Sequence, residues 1–513
     1  MKRNLLRFVL LSVMGLFTLG VSATPDKDYL CFTANEAGST VQLKKTGSPT
    51  EITLEYSTDG TTWSDYTIAT DIALVNAGDK VYFRNTADEV TGFSTGTSTY
   101  YKFVLGGSIA ASGNVMSLVD KTCQTTTIPC DYCFYNLFNG CTVLTTAPEL
   151  PATTLAASCY YYMFNGCSTL TSAPALPATT LAESCYDSMF YKCSALKSAP
   201  ALPATTLAES CYYRMFCNCK ALMTAPELPA TTLAESCYYG MFYMCSDLTS
   251  APELPATTLE KKCYYTMFYG CSLIGDIKVA FSVWAVTSTD NFTTNWSTNV
   301  ASTGAFSCPA GLTGTGAGKI PSGWTVKNTY DVTGSAIGWT SLCVNLPLTV
   351  PEGAEVYYAS SVDGSTITLT QIPAGTTMAA KTAVIVKADA STTLQFDIAG
   401  AAGTSYENLF QGSSVAKART EDVYVLAGAN AENGNPQFQN YTGTTLGAHK
   451  IWLPKSAVGG ATEAIQFRFD DATAISTVEM ESSDDVLYNM AGQRVSSDYR
   501  GIVIKNGKKM FNL

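Results

Sequence analysis

The stretch Leu170-Thr-Ser-Ala-Pro-Ala-Leu-Pro-Ala-Thr-Thr-Leu-Ala-Glu-Ser-Cys-Tyr-Asp-Ser-Met-Phe-Tyr-Lys-Cys193 decides the fold, because the chain repeats it. Cys159, Cys185, Cys211, Cys237 and Cys263 recur every 26 residues, and Cys167, Cys193, Cys219, Cys245 and Cys271 recur beside them. A degenerate first copy runs from Cys133 to Cys141, with Leu137-Phe138 in the Met-Phe place. A fixed period of this size marks stacked units, none of which can bury an apolar face alone. In one unit, Leu170 to Leu176 is short, extended and punctuated by Pro174 and Pro177, so it reads as a brief strand. Leu181, Cys185, Met189 and Cys193 then fall at a four-residue step, which predicts one face of a helix of about three turns. Thr180 with Glu183 has the spacing of a capping box, and Thr206 with Glu209 and Thr232 with Glu235 repeat it.

The predicted fold class is therefore mixed: a central α/β leucine-rich-repeat-like solenoid flanked by all-β, sandwich-like domains. Residues 24–118 alternate apolar and polar positions between turns, as in Lys80-Val-Tyr-Phe-Arg84, and predict an N-terminal β domain. The solenoid spans 119–325, with 26-residue repeats over 123–275 and a Ser/Thr/Asn-rich terminal cap. A second β-sandwich is expected over 326–472, an acidic linker over 473–485, and a terminal β-hairpin over 486–513, where Asn506-Gly507 suits a tight turn. Residues 1–23 carry the basic, apolar and small-residue order of a secretory signal peptide. Past them no apolar run approaches the roughly 20 residues that span a bilayer.

Phe164-Asn-Gly-Cys167-Ser-Thr-Leu170, Phe190-Tyr-Lys-Cys193-Ser-Ala-Leu196 and Phe242-Tyr-Met-Cys245-Ser-Asp-Leu248 resemble the Phe-x-x-Cys-x-x-Leu core of BspA-type leucine-rich repeats of Bacteroidetes. The resemblance covers roughly residues 123–275, and the Pro-Ala-Thr-Thr-Leu turn departs from it. It implies a surface protein that adheres to host proteins or to other microbes. The last segment resembles the C-terminal sorting segments of the type IX secretion route.

Removal of Lys2, Arg3 and Arg7 takes the formal charge from -11 to -14 with no Lys/Arg cluster, which disfavours nucleic acid and anionic membranes as partners. A single histidine, His449, rules out a multi-histidine metal site and leaves any nucleophile dependent on one base. Neither a catalytic residue nor a metal ligand nor a cofactor is expected, and the protein is read as a binder, not an enzyme. Ser57-Thr-Asp59-Gly60-Thr-Thr-Trp63 is similar to the Asp-box turn of sialidases, but a hairpin with a packed tryptophan explains it better. Inter-repeat disulfides and reduced, packed cysteine ladders both fit the spacing; packed ladders are the expectation, with Cys31, Cys123, Cys130, Cys217, Cys308 and Cys343 the better disulfide candidates.

Tyr160, Tyr186, Tyr212, Tyr238 and Tyr264 follow the first ladder cysteine and should pack as core. Tyr161, Tyr213, Tyr239 and Tyr265 stand beside them, with Asp187 the exception, and should be more exposed. These four tyrosines and Arg214 are the candidate ligand-binding residues, since tyrosine combines apolar area with a polar tip. The expected partners are host extracellular or microbial surface proteins, with glycans as the alternative through the β domains. The expected location is secreted or cell-surface.

Overall fold

The computed structural model describes residues 28–87, 92–284, 289–316, 318–363, 366–390, 392–429, 436–458 and 465–470, together with strand segments between 487 and 512. The expected signal peptide and acidic linker lie outside the described residues.

The α/β leucine-rich-repeat-like solenoid does not form. No α-helix occurs among the described residues, and the chain is built almost wholly of strands and turns. The reason lies in the backbone of the four-residue step. Ser184, Ser188 and Lys192 have φ of 52°, 51° and 62°, and the same left-handed residue recurs at every fourth position in the other copies, as at Ser210, Arg214 and Asn218. A helix requires φ near −63° throughout. Its 3.6-residue period would also carry a strict four-residue series around the axis, and it cannot turn adjacent residues such as Cys185 and Tyr186 to the same side. Here both are buried, as are Met189 and Phe190.

Backbone polarity is satisfied in two directions instead. The amides of Asp187, Met189, Tyr191 and Cys193 bond back to the carbonyls of Ser184, Tyr186, Ser188 and Phe190, closing successive turns. The intervening amides of Tyr186, Ser188, Phe190 and Lys192 donate to Cys211, Tyr213, Met215 and Cys217 of the next coil. Each coil is thus a ribbon of linked turns laddered to its neighbour. Glu183, placed by sequence in a capping box, offers its carbonyl to the Ser158 amide of the previous coil. The brief strand survives as single bridges, Ser172 to Ser198 and Ser198 to Thr224.

The stack grows directly from the N-terminal strands β1 Leu30–Ala34, β2 Ser39–Thr46, β3 Leu54–Ser57, β4 Ser64–Asp65, β5 Ile72–Leu74, β6 Lys80–Asn85, β7 Tyr100–Gly106 and β8 Ile109–Ser112. They form sheets ordered β4-β3-β6-β1-β8 and β5-β2-β7, whose inner faces meet at Phe32, Phe83 and Phe103. Strand β9, Leu144–Thr146 of the first coil, pairs in parallel with β8, and the Phe103 amide of β7 donates to Leu137. One apolar core therefore runs from Leu30 to Trp324.

Past the last cysteine pair, the amides of Tyr264, Thr266, Phe268 and Gly270 donate to Phe292, Thr294, Trp296 and Thr298. This is a further turn coil, with left-handed Asn291, Asn295 and Asn299, where sequence showed only a polar cap. Short parallel strands β10 Asp276–Lys278, β11 Ala305–Ser307 and β12 Thr325–Lys327 finish the stack.

The C-terminal unit holds two further large apolar cores and a small one around Val423, Leu446 and Trp452. Its largest sheet consists of β13 Trp339–Leu342, β14 Glu355–Asp363, β15 Thr366–Gln371, β16 Val384–Lys387 and β17 Gln466–Phe469, in the order β13-β16-β14-β15-β17. At the end of the chain, Gly501–Lys505 and Lys508–Asn512 pair antiparallel.

Candidate functional site

Each ribbon turns its side chains alternately inward and outward in pairs. The inward columns are closed. Tyr160, Tyr186, Tyr212, Tyr238 and Tyr264 are buried and stack nearly parallel at 5.7–6.0 Å. None of the eighteen cysteines is in a disulfide. The second cysteine ladder is tied to the backbone: Cys167, Cys193, Cys219, Cys245 and Cys271 each donate Sγ–H to a phenylalanine carbonyl of the coil before, at 3.0–3.2 Å. Burial pushes the thiols of Cys185, Cys237 and Cys271 up to about 12.

The outward pairs form the candidate site. Tyr213 stacks on Tyr239 at 4.5 Å, and Tyr239 on Tyr265 at 4.7 Å, all three half-buried. Arg214, exposed, sets its guanidinium 5.3 Å from the Tyr213 ring centre and 5.4 Å from that of Tyr239. Gly240 lies beneath it, where a Cβ would sit 3.3 Å from Arg214 Cγ. Burial raises the Tyr213 hydroxyl to about 12, with Arg214 opposing, so it remains a donor at neutral pH.

Tyr161 is not brought into this column. It stacks on Tyr162 at 4.3 Å and meets Tyr135 edge-on, and Asp187 occupies the row between it and Tyr213. Burial pushes the Asp187 carboxyl up to about 7, against the Ser188 hydroxyl that donates to it at 2.7 Å and the nearby Arg214.

A second outward column escaped the sequence reading. Tyr243 stacks on Tyr269 at 4.9 Å, and Tyr191 carries Lys192 Nζ 5.1 Å from its ring centre. A helical wheel rotates these residues away from Tyr213 and Tyr239; a four-residue inward–outward step applied to Tyr239 would have found Tyr243.

Other sequence candidates have structural partners. Asp59 accepts from the amides of Thr61 and Thr62 and from the Ser57 hydroxyl, closing the hairpin turn. Trp63 is covered by Arg84, 4.0 Å from its ring centre, and Arg84 is ion-paired with Glu55. His449 Nδ1 lies 3.3 Å from the Cys343 carbonyl and 3.4 Å from the Tyr330 hydroxyl, and burial lowers its pKa.

The opposite part of the coil is occupied by the chain itself. In the Pro-x-Leu-Pro steps, Glu227 and Glu253 replace the Ala175 and Ala201 of earlier coils. Glu227 binds Lys381, Ser413, Ser414 and Val415, and Glu253 accepts from the Asn345 amide. The C-terminal unit thus sits on the Pro-x-Leu-Pro edge.

No family model, curated protein or solved structure matches the chain. No helix among the described residues is long and apolar enough to cross a membrane.

Proposed function

We propose that the outward tyrosine face of the repeat stack, centred on Tyr213, Tyr239, Tyr265 and Arg214, binds other proteins, and that the chain acts as an adhesion or interaction protein outside the cell, secreted or held at its surface. The resemblance of the Phe-x-x-Cys-x-x-Leu steps to BspA-type repeats supports the same reading.

The observation that carries it is how the rings are arranged. Tyr213, Tyr239 and Tyr265 stack face to face at 4.5–4.7 Å, so their faces are spent on one another and their edges are left for contact. Sugar platforms need open ring faces. Tyrosine edges beside a guanidinium suit a protein surface, where tyrosine and arginine supply most anchoring contacts. The tryptophan that a glycan groove would use, Trp63, has its face under Arg84. These two observations favour protein over glycan.

The test is retention of the chain lacking residues 1–23 on a panel of purified extracellular-matrix and serum proteins, alongside a glycan array. A Tyr213→Ala/Tyr239→Ala variant with an unchanged melting curve should lose affinity for the retained protein by roughly tenfold or more. Equal binding by the variant, or retention on sugars alone, overturns the reading.

A further inference from the structure

Among the eighteen thiols, Cys130 is the one not fully buried. It stands three residues before Cys133, the head of the first cysteine ladder, with left-handed Tyr132 turning the chain between them (φ 57°). The two thiols stand close enough to influence each other's ionisation. One segment of the N-terminal unit clasps both. The Ser94 amide donates to the Cys133 carbonyl at 3.0 Å, and Cys130 Sγ–H donates to the Ser94 carbonyl at 3.4 Å. Only glycine fits opposite: a Cβ on Gly92 would lie 2.8 Å from Cys130 Sγ.

We propose that Cys130 and Cys133 form a reversible disulfide by exchange with an external disulfide, locking the first coil of the stack where it meets the N-terminal strands. The Cys130 thiolate attacks one sulfur of the external disulfide RSSR, forming Cys130–S–S–R and expelling RS⁻, which takes up a proton. Cys133 then loses its proton to solvent and attacks the Cys130 sulfur, forming the intramolecular bond and expelling the second RS⁻. Two protein thiols are oxidised and RSSR is reduced to two RSH.

The order of attack follows from the surroundings. The Cys133 thiol and the Phe93 amide lower the Cys130 pKa against the effect of burial, whereas burial holds Cys133 well above the ordinary thiol value. Cys130 is thus the accessible nucleophile and Cys133 the resolving thiol. The second-ladder thiols behave differently, since all of them are buried out of reach of an external disulfide.

The experiment incubates the reduced, folded chain with oxidised glutathione, quenches by alkylation under denaturing conditions and maps the peptides by mass. The peptide carrying Cys130 and Cys133 should be lighter by two hydrogens and unalkylated, the ladder cysteines should be alkylated, and dithiothreitol should reverse the change. Cys133→Ser should stop at a glutathione adduct on Cys130. Cys130→Ser, a change at the half-buried position, should leave Cys133 unmodified. A wild-type chain that keeps Cys130 free, holds a stable glutathione adduct there, or links either cysteine to another partner overturns the proposal.

Discussion

Lys381 Nζ lies 3.1 Å from Glu227 Oε2, an ion pair that joins the fourth Pro-x-Leu-Pro step to the C-terminal unit across 154 residues of chain. The other carboxylate oxygen accepts from the Ser414 amide at 2.5 Å, the Val415 amide at 3.1 Å and the hydroxyls of Ser413 and Ser414 at 2.8 Å. Glu227 thus anchors the C-terminal unit at a position where two of the other coils carry alanine, Ala175 and Ala201.

Glu227→Ala leaves the Ser414 amide and a lysine without their acceptor. A fully buried pair broken this way loses ~3–5 kcal/mol; Lys381 is partly exposed, so about 2 kcal/mol is expected here. Urea unfolding should show the loss, and limited proteolysis should release the C-terminal unit faster from the variant. Unchanged unfolding and cleavage would show that Glu227 contributes nothing to docking.

The neighbouring Glu253 responds to pH with the opposite sign. Burial raises its carboxyl to about 7, opposed by Lys278 and the Asn345 amide and aided by Asp276 and Glu227. Lys278 Nζ is 3.9 Å away, past hydrogen-bonding distance, and Oε1 has no hydrogen-bond partner among the described residues. A raised carboxyl contributes stability that is full below its unfolded value of 4.5 and is lost as pH climbs through about 7. Glu227 behaves the other way: burial pushes it up, but Lys381 and the two serines outweigh that and lower it. Its contribution is present above 4.5 and fades as pH falls through its lowered folded value. Melting curves of the wild type should therefore lose stability between pH 4.5 and 7. The loss should be on the order of a few kcal/mol, since folded and unfolded values one pH unit apart correspond to about 1.4 kcal/mol. In Glu253→Gln that slope should flatten. An identical slope in both proteins would remove Glu253 as its source.

The inward tyrosine column makes a separate prediction. The hydroxyl of Tyr264 is buried without a hydrogen-bond partner among the described residues, while its ring stacks 6.0 Å from Tyr238. Tyr264→Phe keeps the stack and removes an unsatisfied polar group, so it should raise stability by about 1 kcal/mol. A drop in the denaturation midpoint would mean that the hydroxyl has a bonding partner.

The period of 26, the stacking of like residues and the buried character of Cys185, Tyr186, Met189 and Phe190 are all legible in the sequence, because burial writes itself into residue type. The conformation between them is not. A four-residue step fits a helix over two turns, and only the adjacent buried pairs Cys185-Tyr186 and Met189-Phe190 betray the turn ribbon. The coil at residues 290–299 was hidden because its step lengthens, Tyr264 bonding to Phe292, and because Phe292 and Trp296 replace the cysteine and methionine signals. Tyr213, Tyr239, Tyr265 and Arg214 were legible as an outward group. The partners of Glu227 were not, because no local pattern encodes a contact with Lys381 and Ser414.

Gly166 separates the two backbone readings by the sign of one mutation. It follows Phe164-Asn165 in the first full copy, with φ 73°, and a Cβ there would meet nothing closer than Gly140 Cα at 3.7 Å, an ordinary contact. In a helix, Gly166→Ala would stabilise by roughly 0.5–1 kcal/mol, through better propensity and a less disordered unfolded chain. In the turn ribbon, alanine must take the left-handed conformation, which costs roughly 1–2 kcal/mol for a residue with a Cβ. Because packing is unaffected, backbone strain alone decides the outcome. Chemical denaturation of Gly166→Ala should give a lower midpoint with an unchanged slope. A higher midpoint would restore the helix and remove the paired inward and outward columns on which the tyrosine face depends.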